Sequence, residues 1–220
     1  MTRSRAIAIA TLIPVAIFVV DGFYKFDLAS HARPLFWAYD FAKFVVLPGA
    51  GLWWLYSRFR VRPADYGLRR ESPSESGWRF VGLVLTVTLL LSAIYFVASA
   101  IGRELLQPPS RAFHQEILPG GWARYPVAAY LSITAGVTEE VLFRGLPYLY
   151  CRERFPERFP ATAYVLSTSI AFGAAHFENG SGELLATAIF GLAAAALFLK
   201  LRNLWPLVLA HTVTDLVDLL

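Results

Sequence analysis

The sequence predicts an all-α protein, a polytopic transmembrane helix bundle with about seven membrane helices. Of its 220 residues, 56% are hydrophobic and 16% are charged, whereas soluble domains carry about 25% charged residues. The hydrophobic residues form seven stretches, most of them close to the ~20 residues that cross a bilayer. Three stretches contain short groups of ionisable residues. A charge near the bilayer centre costs roughly 2.5–3.5 kcal/mol on insertion scales, so each group calls for a functional explanation.

The seven segments follow one another without an internal repeat or a composition shift that would mark a second domain. We therefore interpret residues 1–220 as one integral membrane domain. The first segment is interpreted as an uncleaved membrane helix rather than a signal peptide, because no convincing small-residue cleavage site follows it. The second contains Asp40 and Lys43 and is a candidate for a break at Pro48. The predicted segments are Ala6–Tyr24, Pro34–Tyr56, Trp78–Ile101, Tyr125–Tyr150, Ala161–Phe177, Leu184–Leu199 and Leu204–Leu220.

The basic residues between the segments predict an orientation. One set of alternate connections contains Arg3, Arg5, Arg58, Arg60, Arg62, Arg69, Arg70, Arg79, Arg152, Arg154, Arg158, Lys200 and Arg202. The opposite set contains only Lys25, Arg33, Arg103, Arg111 and Arg124. Because Lys and Arg are enriched in cytoplasmic loops, we expect a cytosolic N-terminus. A bacterial inner membrane is the expected location. The net charge of +4 is small, and its placement in loops argues against nucleic-acid binding.

The first polar group is Glu139-Glu140-x-x-x-Arg144, in the fourth segment. Residues four apart share a helix face, so Glu140 and Arg144 are expected to form an ion pair that lowers the cost of both charges. Glu139 is rotated by about 100° from Glu140. We therefore expect Glu139 to be the reactive carboxylate, supported by the Glu140–Arg144 pair. Two glutamates that only form salt bridges at a helix end are the simpler alternative.

The second and third groups add two histidines. Phe172 precedes His176 by one helical turn, and His211 precedes Asp215 by the same spacing. A single histidine of this kind is more often a packing residue. His211 and Asp215 share a face, so the carboxylate either only satisfies the imidazole or fixes its tautomer beside a substrate. All three groups together predict one polar site between helices.

The ordered motifs Glu-Glu-x-x-x-Arg, Phe-x-x-x-His and His-x-x-x-Asp resemble those of the CAAX-protease and bacteriocin-processing (Abi) family, intramembrane proteases related to the type II CAAX prenyl endopeptidase. The resemblance covers about 125–220, which it implies is the catalytic half. It implies that Glu139 activates a water, that His176 helps to position it, and that His211 and Asp215 complete the catalytic set. Glu140, Arg144 and Phe172 would support the site.

Asp215 departs from the prenyl-protease branch, which has asparagine there. An ionised aspartate cannot donate a hydrogen bond to an oxyanion. Asp215 is therefore expected to be protonated, to orient His211 or to bind a cation. His211 remains the expected oxyanion donor.

The expected reaction is hydrolysis of a peptide bond in a membrane-associated, possibly lipid-anchored, peptide or protein. The chain has no Gly-x-Ser-x-Gly elbow, and its single cysteine, Cys151, has no predicted partner, so a covalent intermediate is not expected. No cofactor is required by this mechanism. A zinc enzyme with Glu139, His176 and His211 as ligands is the alternative. A transporter or an immunity-type scaffold is the non-enzymatic alternative.

Overall fold

The computed structural model describes residues 1–69, 77–106 and 117–220, and these are almost entirely helical with no β-strand among them. This confirms the all-α prediction. The α-helices are α1 Arg3–Val20, α2 Lys25–His31, α3 Arg33–Phe41, α4 Leu47–Phe59, α5 Gly77–Leu106, α6 Arg124–Glu140, α7 Leu146–Arg154, α8 Ala161–Ala174, α9 Ser181–Leu201 and α10 Trp205–Leu219. Parts of the predicted connections 57–77 and 102–122 lie outside the described residues.

Each of the seven predicted apolar segments contains helix, but fewer than seven of the described helices are long and apolar enough to cross a membrane. Four helices in the described chain are long and apolar enough to span: Arg3–Phe23, Arg33–Phe59, Gly77–Leu106 and Ser181–Leu201. The count of seven membrane helices is therefore not confirmed. The α10 helix has 15 residues, fewer than the ~20 needed to cross the hydrocarbon region. The helix that contains α6 continues to Arg154 and is long enough, but it is not among the four apolar candidates. The α6 and α10 helices also carry the polar residues of two motifs.

Two long helices contain a five-residue π-helical segment. Ala42–Val46 joins α3 to α4, and Val141–Gly145 joins α6 to α7. The chain therefore continues as a helix past Asp40 and Lys43, so the second predicted segment is not interrupted at Pro48, which lies in the first turn of α4. Proline has no N–H to donate to the preceding turn, and the π-helical segment ends just before it. Segments of π-helix often occur at functional sites.

Helices from both halves of the chain pack around a common core. The α9 helix packs against α8 and α5, and α10 packs against α5 and α6. On the other side, α1 packs against α7, and Arg3 at its start forms ion pairs with Asp65 and Glu153. The largest apolar side chains that are fully buried in this core are Phe143, Tyr164, Phe172 and Phe198. The assignment of residues 1–220 to one domain, and the predicted orientation, remain predictions.

Candidate active site

One close helix contact brings the first and third motifs together. A Cβ atom on Gly136 would lie 2.3 Å from Thr212 Oγ1 and 3.0 Å from the Val208 carbonyl oxygen. Only glycine allows α6 and α10 to approach this closely. Gly136 lies one turn before Glu140, and Thr212 follows His211. The contact therefore sets the separation between the glutamates and His211.

Glu140 is fully buried and contacts two of the other motif residues. Its Oε1 atom lies 3.1 Å from Arg144 Nη1, as the i, i+4 spacing predicts. The same oxygen lies 2.9 Å from His211 Nδ1. Arg144 is also fully buried, and its guanidinium lies 4.1 Å from the ring centre of Phe172. Glu140 therefore links the first motif to the third, while Arg144 and Phe172 link it to the second.

Both histidines have an oxygen acceptor at Nδ1. His176 Nδ1 lies 2.8 Å from the Phe172 carbonyl oxygen, and His211 Nδ1 lies 2.9 Å from Glu140 Oε1. Neither oxygen can donate a hydrogen bond, so we assign a proton to Nδ1 of each ring. The Nε2 atoms then face the interior of the site. Each lies close to Glu139 Oε2, at 4.0 Å for His176 and 3.9 Å for His211.

Glu139 is 4% exposed, and within the described chain its Oε2 atom has no hydrogen-bond partner. The two histidine nitrogens are too far away for direct hydrogen bonds but are at suitable distances for one bridging water. Asp215 Oδ1 lies 3.5 Å from His211 Nε2, on the same face of α10. Glu139, His176, His211 and Asp215 thus surround one position.

His176 reaches this position because α8 is short. From the sequence, the fifth segment extends to Phe177 and His176 lies near its outer end, at a different depth from Glu139. The structure ends α8 at Ala174, after 14 residues. Such a helix is roughly 21 Å long, shorter than a hydrocarbon core of about 30 Å. The turn that carries His176 therefore follows a helix too short to cross the bilayer.

Glu139, His176, His211 and Asp215 line a cavity of about 250 Å³. Sequence reasoning did not assign several of its polar residues, which come from segments far apart in the chain: Asp21, Lys25, Tyr39, Asp40, Lys43, Tyr95, Arg103, Glu183 and Asp218. Asp40 and Lys43 did stand out as charges within an apolar segment. The sequence offered no indication that their helix would reach the same cavity.

The second half of the chain matches the model of a known protein family. Residues 121–217 match the model described as type II CAAX prenyl endopeptidase Rce1-like. No curated protein and no solved structure matches the chain. The match covers slightly less than half of the 220 residues and includes all three motifs.

Together with the four apolar helices, the match supports an integral membrane enzyme of the CAAX-protease type. The resemblance seen in the motifs is confirmed over this part of the chain: residues 121–217 match the Rce1-like type II CAAX prenyl endopeptidase model.

Proposed function

We propose that the protein is an intramembrane endopeptidase that hydrolyses a peptide bond of a membrane-associated peptide or protein with a water activated by Glu139. The observation that carries the proposal is the buried Oε2 atom of Glu139, which has no hydrogen-bond partner in the described chain and faces two imidazole nitrogens at 3.9 and 4.0 Å. A carboxylate in this position can accept a proton from a water held between the three groups. The family match supports a peptide substrate.

The histidines have different surroundings, which supports different roles. His176 has the Phe172 carbonyl oxygen at Nδ1 and is the more exposed ring, 22% against 5% for His211. It would hold the attacking water. Carboxylate oxygens lie near both nitrogens of His211, from Glu140 and Asp215. These carboxylates favour an imidazole ring with a proton on each nitrogen. His211 would then donate a hydrogen bond from Nε2 to the oxyanion of the tetrahedral intermediate.

In this mechanism the Glu139 carboxylate takes a proton from the water while the water oxygen attacks the scissile carbonyl carbon. Glu139 then gives the proton to the departing amine as the carbon–nitrogen bond breaks. Glu140 and Arg144 do not touch the reacting atoms. Their roles are to hold His211 and to compensate each other's charge in a buried setting. Asp215 orients His211 or carries a proton itself.

A zinc-dependent form of the hydrolase is the second candidate. Metal-bound histidines usually donate their other ring N–H to a carbonyl or carboxylate oxygen, as both histidines do here. Glu139, His176 and His211 would be the ligands, and the ion would lower the pKa of a bound water. Ligands at about 2.0–2.1 Å from zinc lie about 3.4 Å apart, so these side chains would have to move closer together. No group of three or more metal-ligand side chains is in place among residues 1–69, 77–106 and 117–220.

The proposal is tested with purified protein in liposomes and a panel of internally quenched membrane-tethered peptides, some farnesylated and ending in a CAAX sequence, others acylated at the N-terminus. The wild-type protein is expected to cleave at least one peptide, and Glu139→Gln and His176→Ala to cleave none. Activity that survives exhaustive chelation supports the metal-free mechanism. Activity that is lost and returns only with zinc supports the second candidate. If both variants still cleave, the assignment of the site is wrong.

The same liposomes test the non-enzymatic alternative. A transporter or proton relay would also place Glu, His and Asp residues within a membrane. A pH-sensitive dye enclosed in the liposomes reports proton movement. Proton flux that depends on Glu139, without cleavage of any peptide, would replace the hydrolase with a transporter. We further propose a bacterial inner membrane as the location and a cytosolic N-terminus; the distribution of the basic residues supports the orientation.

A further inference from the structure

The cavity that contains Glu139 continues to an ion pair from the first half of the chain, outside the residues that match the family model. Lys43 Nζ lies 2.5 Å from Asp21 Oδ2. Asp21 is 1% exposed and Lys43 is 8% exposed, and both line the cavity. Ionised residues in such a setting are costly and usually functional. The catalytic mechanism proposed above does not use either of them.

The backbone places this pair beside the catalytic residues. Lys43 lies in the π-helical segment Ala42–Val46, which is packed against α6. There the Thr138 hydroxyl donates a hydrogen bond to the Phe44 carbonyl oxygen, at 2.6 Å. Thr138 immediately precedes Glu139, so this bond ties the segment that holds Lys43 to the proposed general base.

The ammonium group of Lys43 is held in place from several sides. It lies 4.5 Å from the ring centre of Phe18 and 4.4 Å from that of Phe44. These cation–π contacts and Asp21 leave it little freedom. An ammonium has three N–H donors, and Asp21 Oδ2 accepts one of them. The group is therefore an oriented donor at the wall of the cavity.

Asp21 provides an acceptor next to this donor. Its Oδ1 atom is buried and has no hydrogen-bond partner within the described chain. A buried acceptor without a donor costs free energy until a ligand or a water supplies the donor. The cavity has a volume of about 250 Å³, more than the one hydrolytic water fills, since a water in the liquid occupies about 30 Å³.

We propose that Asp21 and Lys43 bind the main chain of the substrate peptide next to the scissile bond. In this arrangement, Lys43 Nζ donates to a peptide carbonyl oxygen, and Asp21 Oδ1 accepts the N–H of a nearby amide. The pair is neutral as a whole. A ligand carboxylate in this position would be repelled by Asp21, and a ligand ammonium would be repelled by Lys43. A peptide main chain is neutral and offers both the donor and the acceptor that the pair requires. The inference rests on the proposed function, because it assigns a peptide to this cavity.

The first test is substrate affinity in a variant that removes both charges. Removing one partner alone would leave an uncompensated buried charge and could prevent folding, so the variant is Asp21→Leu with Lys43→Met. Binding is measured in a Glu139→Gln background, by fluorescence anisotropy of the peptide that the wild-type protein cleaves best or, if it cleaves none, of the farnesylated CAAX peptide. Arg3→Met removes an ion-pairing cation outside the cavity and serves as the matched control. The double variant is expected to bind at least about tenfold more weakly, and the control to bind normally.

The second test identifies the atoms. In a series of peptides, one amide after another is replaced by an ester, which removes a single N–H. In the protein that keeps Asp21 and Lys43, replacing one particular amide by an ester is expected to weaken binding about tenfold. This is the effect of losing one charge-assisted hydrogen bond. In the double variant, that ester and its parent amide should bind equally. The inference is wrong if all esters weaken binding equally, or if the double variant binds the peptide as tightly as the protein that keeps Asp21 and Lys43. In either case, Asp21 and Lys43 form only a structural ion pair.

The two proposals fail in different ways. If the wild-type protein cleaves the peptide and the double variant keeps the same affinity, only the main-chain site is lost. If no peptide is cleaved but binding still depends on one ester position and on the Asp21–Lys43 pair, only the hydrolase is lost. If no peptide of the panel binds at all, the main-chain site is overturned.

Discussion

His211 Nδ1 lies 2.9 Å from Glu140 Oε1, and this contact joins two helices whose motifs are separated by 71 positions in the chain. The same oxygen lies 3.1 Å from Arg144 Nη1. Glu140 is therefore an acceptor for a histidine and a counter-ion for an arginine at the same time. Its neighbour Glu139 is left to face the cavity. Adjacent glutamates thus have separate surroundings, which supports a separate role for each.

Replacing Glu140 should cost stability as well as activity. Glu140→Ala leaves the buried Arg144 guanidinium without its counter-ion and His211 without its Nδ1 acceptor. Loss of one partner of a buried pair typically costs about 3–5 kcal/mol. We expect a clear drop in thermal unfolding temperature in detergent, together with loss of cleavage. A wild-type melting temperature for Glu140→Ala would contradict the supporting role of this residue.

The approach of α6 to α10 gives a second prediction. Gly136→Ala places a methyl group within 3.0 Å of the Val208 carbonyl oxygen and closer still to Thr212 Oγ1, so the helices must separate. We expect a large loss of activity, because Glu139, Glu140 and His211 depend on this spacing. Gly82→Ala in α5 is the control, since no atom lies within 4 Å of its added Cβ. If both variants keep wild-type activity, the close contact does not position the site.

The loop after His176 is held by the first half of the chain. Lys25 pairs with Glu178, and the ring of Phe23 lies 4.9 Å from that of Phe177. We expect Lys25→Glu to lower kcat by about tenfold or more, because a misplaced His176 no longer holds the water. Combining Lys25→Glu with Glu178→Lys should restore much of the rate. Failure of the charge swap, with normal folding, would argue against a positioning role for this pair.

Asp215→Asn tests the departure from the prenyl-protease branch. Asparagine still has an oxygen acceptor for His211 and gains a donor that can reach an oxyanion. We therefore expect Asp215→Asn to keep activity within about tenfold of the wild type. Asp215→Leu should lose about a hundredfold, because His211, the proposed oxyanion donor, would no longer be oriented. Equal losses in the two variants would show that the negative charge itself is needed.

The sequence predicted the parts of the site that depend on local helical spacing. The i, i+4 rule placed Glu140 beside Arg144 and His211 beside Asp215, and both pairs are close in the structure. It could not predict that His211 also bonds Glu140, because this contact depends on how two distant helices pack at Gly136.

The sequence also did not predict where α8 ends or which residues form the wall of the cavity. The apolar pattern continued beyond the point where α8 ends, so the sequence placed His176 within the segment and not in the turn after it. Asp21 and Lys43 are 22 positions apart and meet only through the turn that follows α1 and the path of the helix 33–59. No short-range pattern indicated that pairing. Local helical spacing therefore predicted the pairs Glu140–Arg144 and His211–Asp215, whereas the residues that complete the cavity required the tertiary structure.

The most direct test of the central claim is the cleavage rate of Glu139→Gln on a membrane-tethered peptide that the wild-type protein cleaves. Glutamine keeps the size of the side chain but cannot take a proton from water. The account predicts that cleavage falls to background while the variant keeps its melting temperature and still binds the peptide. Cleavage by Glu139→Gln at a rate near that of the wild type would contradict it.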